Sequence, residues 1–246
     1  MKIIGIIPSR YASTRFPAKS LAIIKGKSMI QRVYEQAQQS SALNEVVVAT
    51  DHQEIYDHVQ KFGGSVCMTK TDHVSGTDRC YEALILQRKK YDYVINIQGD
   101  EPFIQPTQID LLAGKLDGIT EIATLVKQLE TEEQLFNPNV VKAVLNATSE
   151  ALYFSRSPIP HIRNVTSEYW VHKHKFFKHI GMYAYRTDVL ERLTTLSVSS
   201  LEKAESLEQL RWLENGFKIT VAETTTETIG IDTPEDLHRA IQHLKS

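Results

Sequence analysis

Residues 2–8 read KIIGIIP and residues 9–20 read SRYASTRFPAKS. The first segment is a short apolar run with one glycine, which predicts a buried strand in a parallel sheet. The second segment is a polar loop that contains three cations and two small hydroxyl residues between them: Arg10, Arg15, Lys19, Ser13 and Thr14. Ligands bind at the carboxyl ends of such strands, and arginine and lysine suit phosphate oxygens. The loop therefore predicts a polyanion site, most simply for a triphosphate, and the plain alternative is a solvated surface loop.

Further apolar runs and helical patterns alternate after this loop. Strand-like runs occupy residues 45–51, 65–69 and 91–98, and amphipathic helical spacing occupies 28–41, 52–64 and 77–90. This alternation predicts a doubly wound parallel sheet. Because the carboxyl ends of parallel strands lie along one edge, we expect the first loop and the acidic turn 99–101 to share one crevice.

The second half of the chain is less regular. Residues 121–129, 179–186 and 217–224 are typical of strands, and residues 140–156 indicate a hairpin. Residues 200–216 predict one helix that ends at Gly216, and Thr233 and Pro234 suit the start of a last helix. We interpret residues 129–225 as an insertion that covers the crevice and offers an oligomer surface.

Composition excludes several classes of protein. The 246 residues are 41% hydrophobic and 24% charged, with a formal net charge of −2, which argues against bulk nucleic-acid binding. Cys67 and Cys80 form no CxxC pair, so we expect reduced thiols in a cytoplasm. No signal-peptide pattern and no apolar run of about 18 residues occurs, so we expect neither secretion nor a membrane span.

Small and acidic residues near the predicted crevice are candidates for ligand contacts. Asp100 follows a predicted central strand and suits a hard cation such as Mg²⁺, although a helix cap is the commoner use of such an aspartate. Asp232 precedes a helix start and, taken alone, favours the cap; with Asp100 it would complete a magnesium site. The small residues 75–77 precede a helix and suit either a phosphate or a turn.

A second set of candidates lies in the irregular half. Arg156, His179 and the pair at 208–209 combine a cation, an imidazole and an acid–amide pair, which suits a carboxylated, hydroxyl-rich substrate. Tyr183 is two strand periods from His179, so both side chains face one side of the strand. Each of these residues taken singly is more often a plain surface or hairpin residue.

Eight segments together resemble the bacterial 3-deoxy-manno-octulosonate cytidylyltransferases: IIPSRYASTRFPAKSL, VATDH, VCMTKTDHVSGTDR, NIQGDEPFI, ALYFSRSPIP, HIGMYAYR, LEQLRWL and IDTPEDL. The resemblance runs from near residue 2 to residue 240, and residues 157–175 match only loosely. It implies an enzyme that joins CTP to the sugar acid 3-deoxy-D-manno-octulosonate (Kdo), releasing pyrophosphate and giving CMP-Kdo for lipopolysaccharide assembly.

The resemblance also implies a fold and a domain organisation. The fold is an α/β, nucleotidyltransferase-type three-layer α/β/α sandwich with a central mixed, mostly parallel sheet and an inserted β-containing subdomain for cover and dimerisation. The chain would be a single domain, 1–246. Its parts would be a nucleotide-binding half at 1–128, a sugar-binding and dimerisation insertion at about 129–225, and a returning segment at 226–246. A cytoplasmic homodimer with no nucleic-acid or membrane partner is expected.

The resemblance further assigns roles to residues of this sequence. The nucleotide-binding set is Pro8, Ser9, Arg10, Ser13, Arg15, Lys19, Ser75, Gly76, Gln98 and Asp100. The sugar-binding set is Gln98, Arg156, His179, Tyr183, Glu208 and Gln209. The catalytic set is Arg10, Lys19, Asp100 and Asp232, of which Asp100 and Asp232 would hold Mg²⁺.

Three alternatives remain open at this point. The nearest is a cytidylyltransferase for a related sugar acid, 8-amino-Kdo or sialic acid. A second is a nucleotide-binding protein without catalysis, which the presence of Lys19 and Asp100 disfavours. A third is a dehydrogenase on a similar sheet, but neither a GxGxxG turn nor a Walker A loop follows the first strand.

Overall fold

The computed structural model describes residues 1–12, 16–227, 230–231 and 233–243. Its strands are β1 (Ile3–Ser9), β2 (Ile23–Ile24), β3 (Lys27–Ser28), β4 (Glu45–Thr50), β5 (Val66–Met68), β6 (Tyr93–Asn96), β7 (Ile122–Gln128), β8 (Lys142–Leu145), β9 (Ala151–Ser155), β10 (Phe177–Arg186) and β11 (Ile219–Glu223). Its helices are α1 (Met29–Ala37), α2 (Gln53–Lys61), α3 (Gly76–Ile85), α4 (Pro106–Ala113), α5 (Glu132–Phe136), α6 (Trp170–Lys173), α7 (Thr187–Thr194), α8 (Ser200–Glu205), α9 (Gln209–Glu214) and α10 (Pro234–His243).

The chain divides into two compact units. The first unit comprises Met1–Ala113 and Thr228–Ser246, and the second comprises Gly114–Glu227. The second unit therefore begins before β7, whereas the predicted insertion began after it. The reason is that β7 pairs with β10 and β11, which are strands of the second unit.

The first unit is built on a parallel sheet. Strand β1 pairs in parallel with β6 on one side and β4 on the other, and β4 pairs in parallel with β5. The isoleucines of β1 are buried, which is the pattern expected of a strand covered on both faces. The predicted strands and their parallel arrangement in this half of the chain are thus confirmed.

Helices α1, α2 and α3 of the first unit occupy the segments predicted to be helical, whereas α4 was not predicted. In α1 the buried residues are Met29, Ile30, Val33, Tyr34 and Ala37. The Ser28 side chain accepts a hydrogen bond from the Gln31 N–H and caps this helix. Ser75 caps α3 in the same way, accepting from the Asp78 N–H at 3.1 Å, so this helix begins one residue before the predicted Thr77.

The second unit has a mixed sheet. Strand β7 pairs in parallel with β11 and antiparallel with β10, while β8 pairs antiparallel with both β10 and β9. The β8–β9 pairing confirms the predicted hairpin. The register of β10 against β7 shifts between Ile180 and Tyr183, which marks a β-bulge in the middle of the strand.

The helix predicted at 200–216 is wrong in one respect. The structure places two helices there, α8 and α9, and not one. Ser206 adopts a left-handed conformation with φ 53° and ends α8, while its N–H bonds the Glu202 carbonyl. Apolar periodicity continues through the break, which is why the sequence pattern did not indicate it. Across the described ranges, no helix combines the length and apolar character needed to cross a bilayer.

Candidate active site

A cavity of about 330 Å³ opens in the first unit. Its lining residues are Pro8, Ser9, Arg10, Lys19, Ser20, His73, Val74, Ser75, Gly76, Arg79, Gln98, Gly99 and Asp100. These residues come from the carboxyl end of β1, the loop after β5, the start of α3 and the loop after β6. The prediction that the first loop and the acidic turn share one crevice is confirmed by this lining.

The loops that form the cavity approach one another closely. A Cβ atom added to Gly99 would lie 3.0 Å from the Pro8 carbonyl oxygen, so a side chain at this position would push the loop after β6 away from β1. A Cβ atom on Gly76 would lie 3.5 Å from the Pro8 ring, which is ordinary contact. Gly99 therefore sets how closely Asp100 can approach the end of β1.

Lys19 and Asp100 form an ion pair at the cavity wall. The Lys19 ammonium lies 2.7 Å from Asp100 Oδ2 and also donates to the Ile231 carbonyl at 3.2 Å. The Ile231 N–H in turn donates to the Asp100 carbonyl at 2.9 Å. A cation from the first loop and the carboxylate after β6 thus meet directly, and each neutralises the other.

The carboxylate of Asp100 has the chemistry of a magnesium ligand. Its side chain is 30% exposed and lines the cavity, so a cation carried by a phosphate has access to it. No group of three or more metal-binding side chains occurs among the residues that the structure describes. Magnesium needs only one or two carboxylates when phosphate oxygens and water complete its octahedron. The donor present at Asp100 therefore fits Mg²⁺ bound together with a phosphate ligand.

Arg79 is a cavity residue that the sequence interpretation missed. Its guanidinium is buried and donates to Asp51 Oδ2 at 2.8 Å, Thr69 Oγ1 at 2.6 Å and the Lys70 carbonyl at 3.1 Å. The available signal was positional: Asp51 directly follows β4 and Arg79 lies in the first turns of α3. Both positions belong to the same edge of the parallel sheet.

His73 and Glu82 form a second hydrogen-bonded pair beside the cavity. The His73 ring bonds the Glu82 carboxylate, which also accepts the Lys70 N–H at 2.9 Å. Burial raises the pKa of Glu82, but the hydrogen bonds from His73 and the Lys70 amide outweigh it and hold the pKa below its usual value. Glu82 therefore stays ionised at neutral pH and orients the His73 ring at the cavity wall.

Several predicted site residues lie outside the described residues. Ser13, Arg15 and Asp232 belong to this group. Their assigned roles stay predictions. Thr233 next to Asp232 accepts a hydrogen bond from the Asp236 N–H, which gives α10 a threonine cap. Thr233 therefore caps α10, and both the cap role and the metal role predicted for Asp232 lie outside the described residues.

The predicted sugar-binding residues Arg156, His179, Tyr183, Glu208 and Gln209 belong to the second unit. Arg156 follows β9 and donates from its guanidinium to the carbonyls of Glu205, Pro138 and Ser206 at 2.7, 3.1 and 3.3 Å. The backbone N–H of Arg156 also donates to the Glu205 carboxylate at 2.9 Å. Arg156 is thereby fixed to the end of α8 and to Ser206, two residues before Glu208.

His179 and Tyr183 lie side by side on β10. Their ring centroids are 5.2 Å apart, so the predicted common face is confirmed despite the bulge between them. The His179 Nε2 lies 2.9 Å from Thr124 Oγ1, and burial lowers the pKa of His179 to about 3. Burial also raises the pKa of Tyr183 well above its ordinary value. The pair therefore offers a neutral imidazole and a protonated phenol.

Helix α9 completes this cluster. The Trp212 ring meets the Tyr183 ring edge-on with centroids 4.9 Å apart, and Gln209 is buried at the start of α9. Within the described ranges, the Tyr183 hydroxyl is buried without a hydrogen-bond partner. A buried hydroxyl in this state is costly to the free protein and suits a polar ligand group.

Known proteins resemble this chain over its whole length. Residues 4–220 match the family model described as cytidylyltransferase. The chain is 56% identical over 247 residues to the 3-deoxy-manno-octulosonate cytidylyltransferase of Cytophaga hutchinsonii, covering 100% of this chain and 98% of that one. It is 57% identical to the enzyme of the same name from Parabacteroides distasonis, covering 99% and 98%.

Solved structures give the same result for the fold. The structure of CMP:2-keto-3-deoxy-manno-octonic acid synthetase complexed with CTP matches with a TM-score of 0.92 and 42% identity, covering 100% of this chain and 99% of that chain. The 4-diphosphocytidyl-2C-methyl-D-erythritol synthase of Anaerococcus prevotii matches with a TM-score of 0.65 at 13% identity, which concerns the fold alone. The predicted α/β nucleotidyltransferase-type fold is confirmed.

Proposed function

This chain belongs to the 3-deoxy-manno-octulosonate cytidylyltransferases, and we propose that it transfers the CMP group of CTP to the anomeric hydroxyl of Kdo. Pyrophosphate is released, and CMP-Kdo is formed for lipopolysaccharide assembly. The observation that carries the proposal is identity of 56% over the full length of the chain. We assign the nucleotide side of this reaction to the cavity at the carboxyl ends of the parallel strands.

The triphosphate of CTP is assigned to the first-unit cavity. Arg10 and Lys19 line it, and both residues are suited to phosphate oxygens. The start of α3 also lines it, and a helix of this length directs the positive end of its dipole toward an anion. We place Pro8, Ser9, Ser75, Gly76 and Gln98 around the same nucleotide.

Magnesium is proposed as the cofactor, with Asp100 and Asp232 as its carboxylate ligands. When bound, Mg²⁺ supplies positive charge next to the phosphate oxygens and helps to fix the triphosphate. In the ligand-free chain the Lys19 ammonium performs part of this neutralisation at Asp100, 2.7 Å away. The same ammonium is then within the cavity that the phosphates would enter.

The Kdo molecule is assigned to residues of the second unit, in β10, α9 and the end of β9. Arg156 offers a guanidinium to the sugar carboxylate. His179 and Tyr183 are both uncharged at neutral pH, because burial lowers the pKa of the imidazole and raises the pKa of the phenol. Uncharged donors and acceptors suit sugar hydroxyls. Glu208 and Gln209 add further acceptors and a donor.

The reaction asks little covalent chemistry of the protein. The anomeric oxygen of Kdo forms a bond with the α-phosphorus, and the bond from that phosphorus to the oxygen bridging to the β-phosphate breaks. Pyrophosphate leaves with the electron pair, and the hydroxyl proton is released. Positioning of the two substrates and neutralisation of their charges are the main contributions of the chain. Arg10 and Lys19 neutralise the charge of the leaving phosphates, and Arg156 binds the carboxylate of the attacking sugar acid.

Product detection tests this proposal. The purified protein should convert CTP and Kdo to CMP-Kdo and pyrophosphate in the presence of Mg²⁺, as measured by mass spectrometry. Asp100→Asn should lose this activity. Asp92→Asn is the matched control, since Asp92 lies before the opposite end of β6 and accepts the Lys2 N–H at 2.7 Å. Absence of product from the unaltered protein would contradict the proposal.

A substrate panel tests the choice of sugar. Under the proposal, kcat/KM is highest with Kdo and lower with 8-amino-Kdo and with sialic acid. A higher kcat/KM with either of these sugars would replace Kdo as the substrate and leave the cytidylyltransfer reaction intact.

A homodimer in the cytoplasm is also part of the proposal, supported by the family to which the chain belongs. Light scattering on the purified protein should give twice the chain mass of 28.0 kDa. A mass of one chain at micromolar concentration would contradict the dimer.

A further inference from the structure

Backbone hydrogen bonds of Tyr11 connect the first part of the loop after β1 to its last part and to the segment after β4. Its N–H donates to Asp51 Oδ1 at 3.1 Å, and its carbonyl accepts the Ala18 N–H at 3.1 Å. The Tyr11 ring stacks on the His52 ring with centroids 3.7 Å apart and an interplanar angle of 17°. Tyr11 is therefore held on three sides, two of them by the segment that follows β4.

Asp51 is itself fixed by a buried partner. Its second carboxylate oxygen accepts from the Arg79 guanidinium at 2.8 Å, and the side chains of Arg79 and Asp51 are 4% and 11% exposed. Arg79 also donates to Thr69 and to the Lys70 carbonyl after β5. One carboxylate thus connects the loops that follow β1, β4 and β5 with helix α3.

We propose that Asp51 is a positioning residue for the phosphate-binding loop, acting through the Tyr11 N–H. Arg10 directly precedes Tyr11, and Lys19 directly follows Ala18, so both cations sit one peptide away from the groups that Asp51 and Tyr11 hold. Consecutive Cα atoms are about 3.8 Å apart across a rigid peptide, so a shift of Tyr11 is transmitted to Arg10. The inference rests on the proposed function, in which these cations bind the triphosphate of CTP.

Both carboxylate oxygens of Asp51 are needed because each accepts a hydrogen bond from a different donor. A carboxylate accepts on both oxygens, whereas the amide of an asparagine has one acceptor oxygen and one donor nitrogen. In Asp51→Asn, either the Tyr11 N–H or the Arg79 guanidinium faces that donor and loses its hydrogen bond. Hydrogen bonds to charged groups are among the stronger ones in proteins, so Tyr11 and the adjacent Arg10 should be held less firmly.

Nucleotide binding measures the consequence. Asp51→Asn should weaken CTP binding about tenfold in isothermal titration without sugar, the scale of one lost charge-assisted hydrogen bond. In turnover, the KM for CTP should rise by a similar factor while the KM for Kdo changes less than about twofold. Glu45→Gln is the matched control, since Glu45 begins the same strand at its other end and binds Lys89 and Tyr91.

Amide hydrogen exchange separates positioning of the loop from a general loss of stability. In the ligand-free protein, the Tyr11 and Ala18 amides should exchange at least about tenfold faster in Asp51→Asn, while the Val48 amide in the middle of β4 stays protected. Asp51→Glu retains a carboxylate and should recover part of the lost CTP affinity. Equal acceleration at Val48, or unchanged exchange at Tyr11, would overturn the proposal.

The exchange measurement also distinguishes this inference from the proposed function. If the unaltered protein fails to bind CTP, the proposed function is wrong, and faster exchange at Tyr11 in Asp51→Asn would still support the anchoring of the loop. If the unaltered protein binds CTP and Asp51→Asn binds it equally well, the positioning role is wrong and the proposed function stands.

Discussion

Removing Lys19 and Asp100 separately and together measures how strongly these side chains interact across the cavity. The variants are Lys19→Met, Asp100→Asn and the double variant, all without nucleotide and with divalent cations chelated. At the observed 2.7 Å, Coulomb's law with an effective dielectric constant of about 20 gives about 6 kcal/mol. The side chains are 17% and 30% exposed, so water and ions reduce this value. We expect a coupling free energy of about 1–2 kcal/mol.

Urea unfolding of the four proteins gives the coupling free energy as a double-mutant cycle. The pair of Lys89 and Glu45 is a suitable reference, because its nitrogen and oxygen are 2.8 Å apart but its side chains are 72% and 26% exposed. Its coupling should be below about 0.5 kcal/mol, as for other exposed pairs. A Lys19–Asp100 coupling no larger than this reference would refute the inference that the two residues form a partly desolvated pair within one cavity.

Three further predictions concern the proposed site. Asp100→Asn should lower kcat about a hundredfold or more while the urea midpoint falls only modestly, as measured by pyrophosphate release; a near-normal rate would remove Asp100 from the metal role. Arg156→Ala should raise the KM for Kdo about tenfold and the KM for CTP much less; equal changes would argue against contact with the sugar carboxylate. Burial lowers the pKa of His179 from 6.5 in the unfolded chain to about 3 in the folded protein. At pH values between these two, the imidazole is protonated in the unfolded chain and neutral in the folded one, so the free energy of unfolding decreases as the pH falls below 6.5. His179→Gln should then recover about 2 kcal/mol at about pH 5 relative to about pH 7.5 in urea unfolding, and an unchanged difference would contradict the buried neutral imidazole.

Much of the first unit could be predicted from periodicity. The apolar runs that became β1, β4, β5 and β6 are short and bounded by polar or turn residues, and the helical patterns between them are amphipathic. Local pattern and tertiary burial agree in these segments, so each strand and crossover could be assigned from its own sequence. The shared edge of the sheet then followed from topology.

Elements whose geometry depends on single backbone angles were not predicted. Strands β2 and β3 flank a turn in which Lys25 and Gly26 have φ values of 45° and 81°, and each strand is only two residues long. The break at Ser206 likewise depends on one left-handed residue. Hydrophobic periodicity carries no information about such angles.

Sequence alone located the cations and the carboxylate of the candidate site but not their support. Lys19, Arg10 and Asp100 are conspicuous because they are charged residues in the loops that follow apolar strands. The partners Asp51 and Arg79 are separated by 28 positions, and their pairing depends on how the loops after β4 and β5 close on α3. Such pairs become visible only when tertiary structure brings the strand ends together.

The proposed function places the triphosphate of CTP in one cavity of the first unit, between the loop cations and Asp100. The most direct measurement is a crystal structure of this chain with CTP. Electron density for the phosphates should lie in the cavity, in contact with Arg10 and Lys19 and next to Asp100. Density for CTP elsewhere on the protein, with the Lys19–Asp100 contact undisturbed, would contradict the claim.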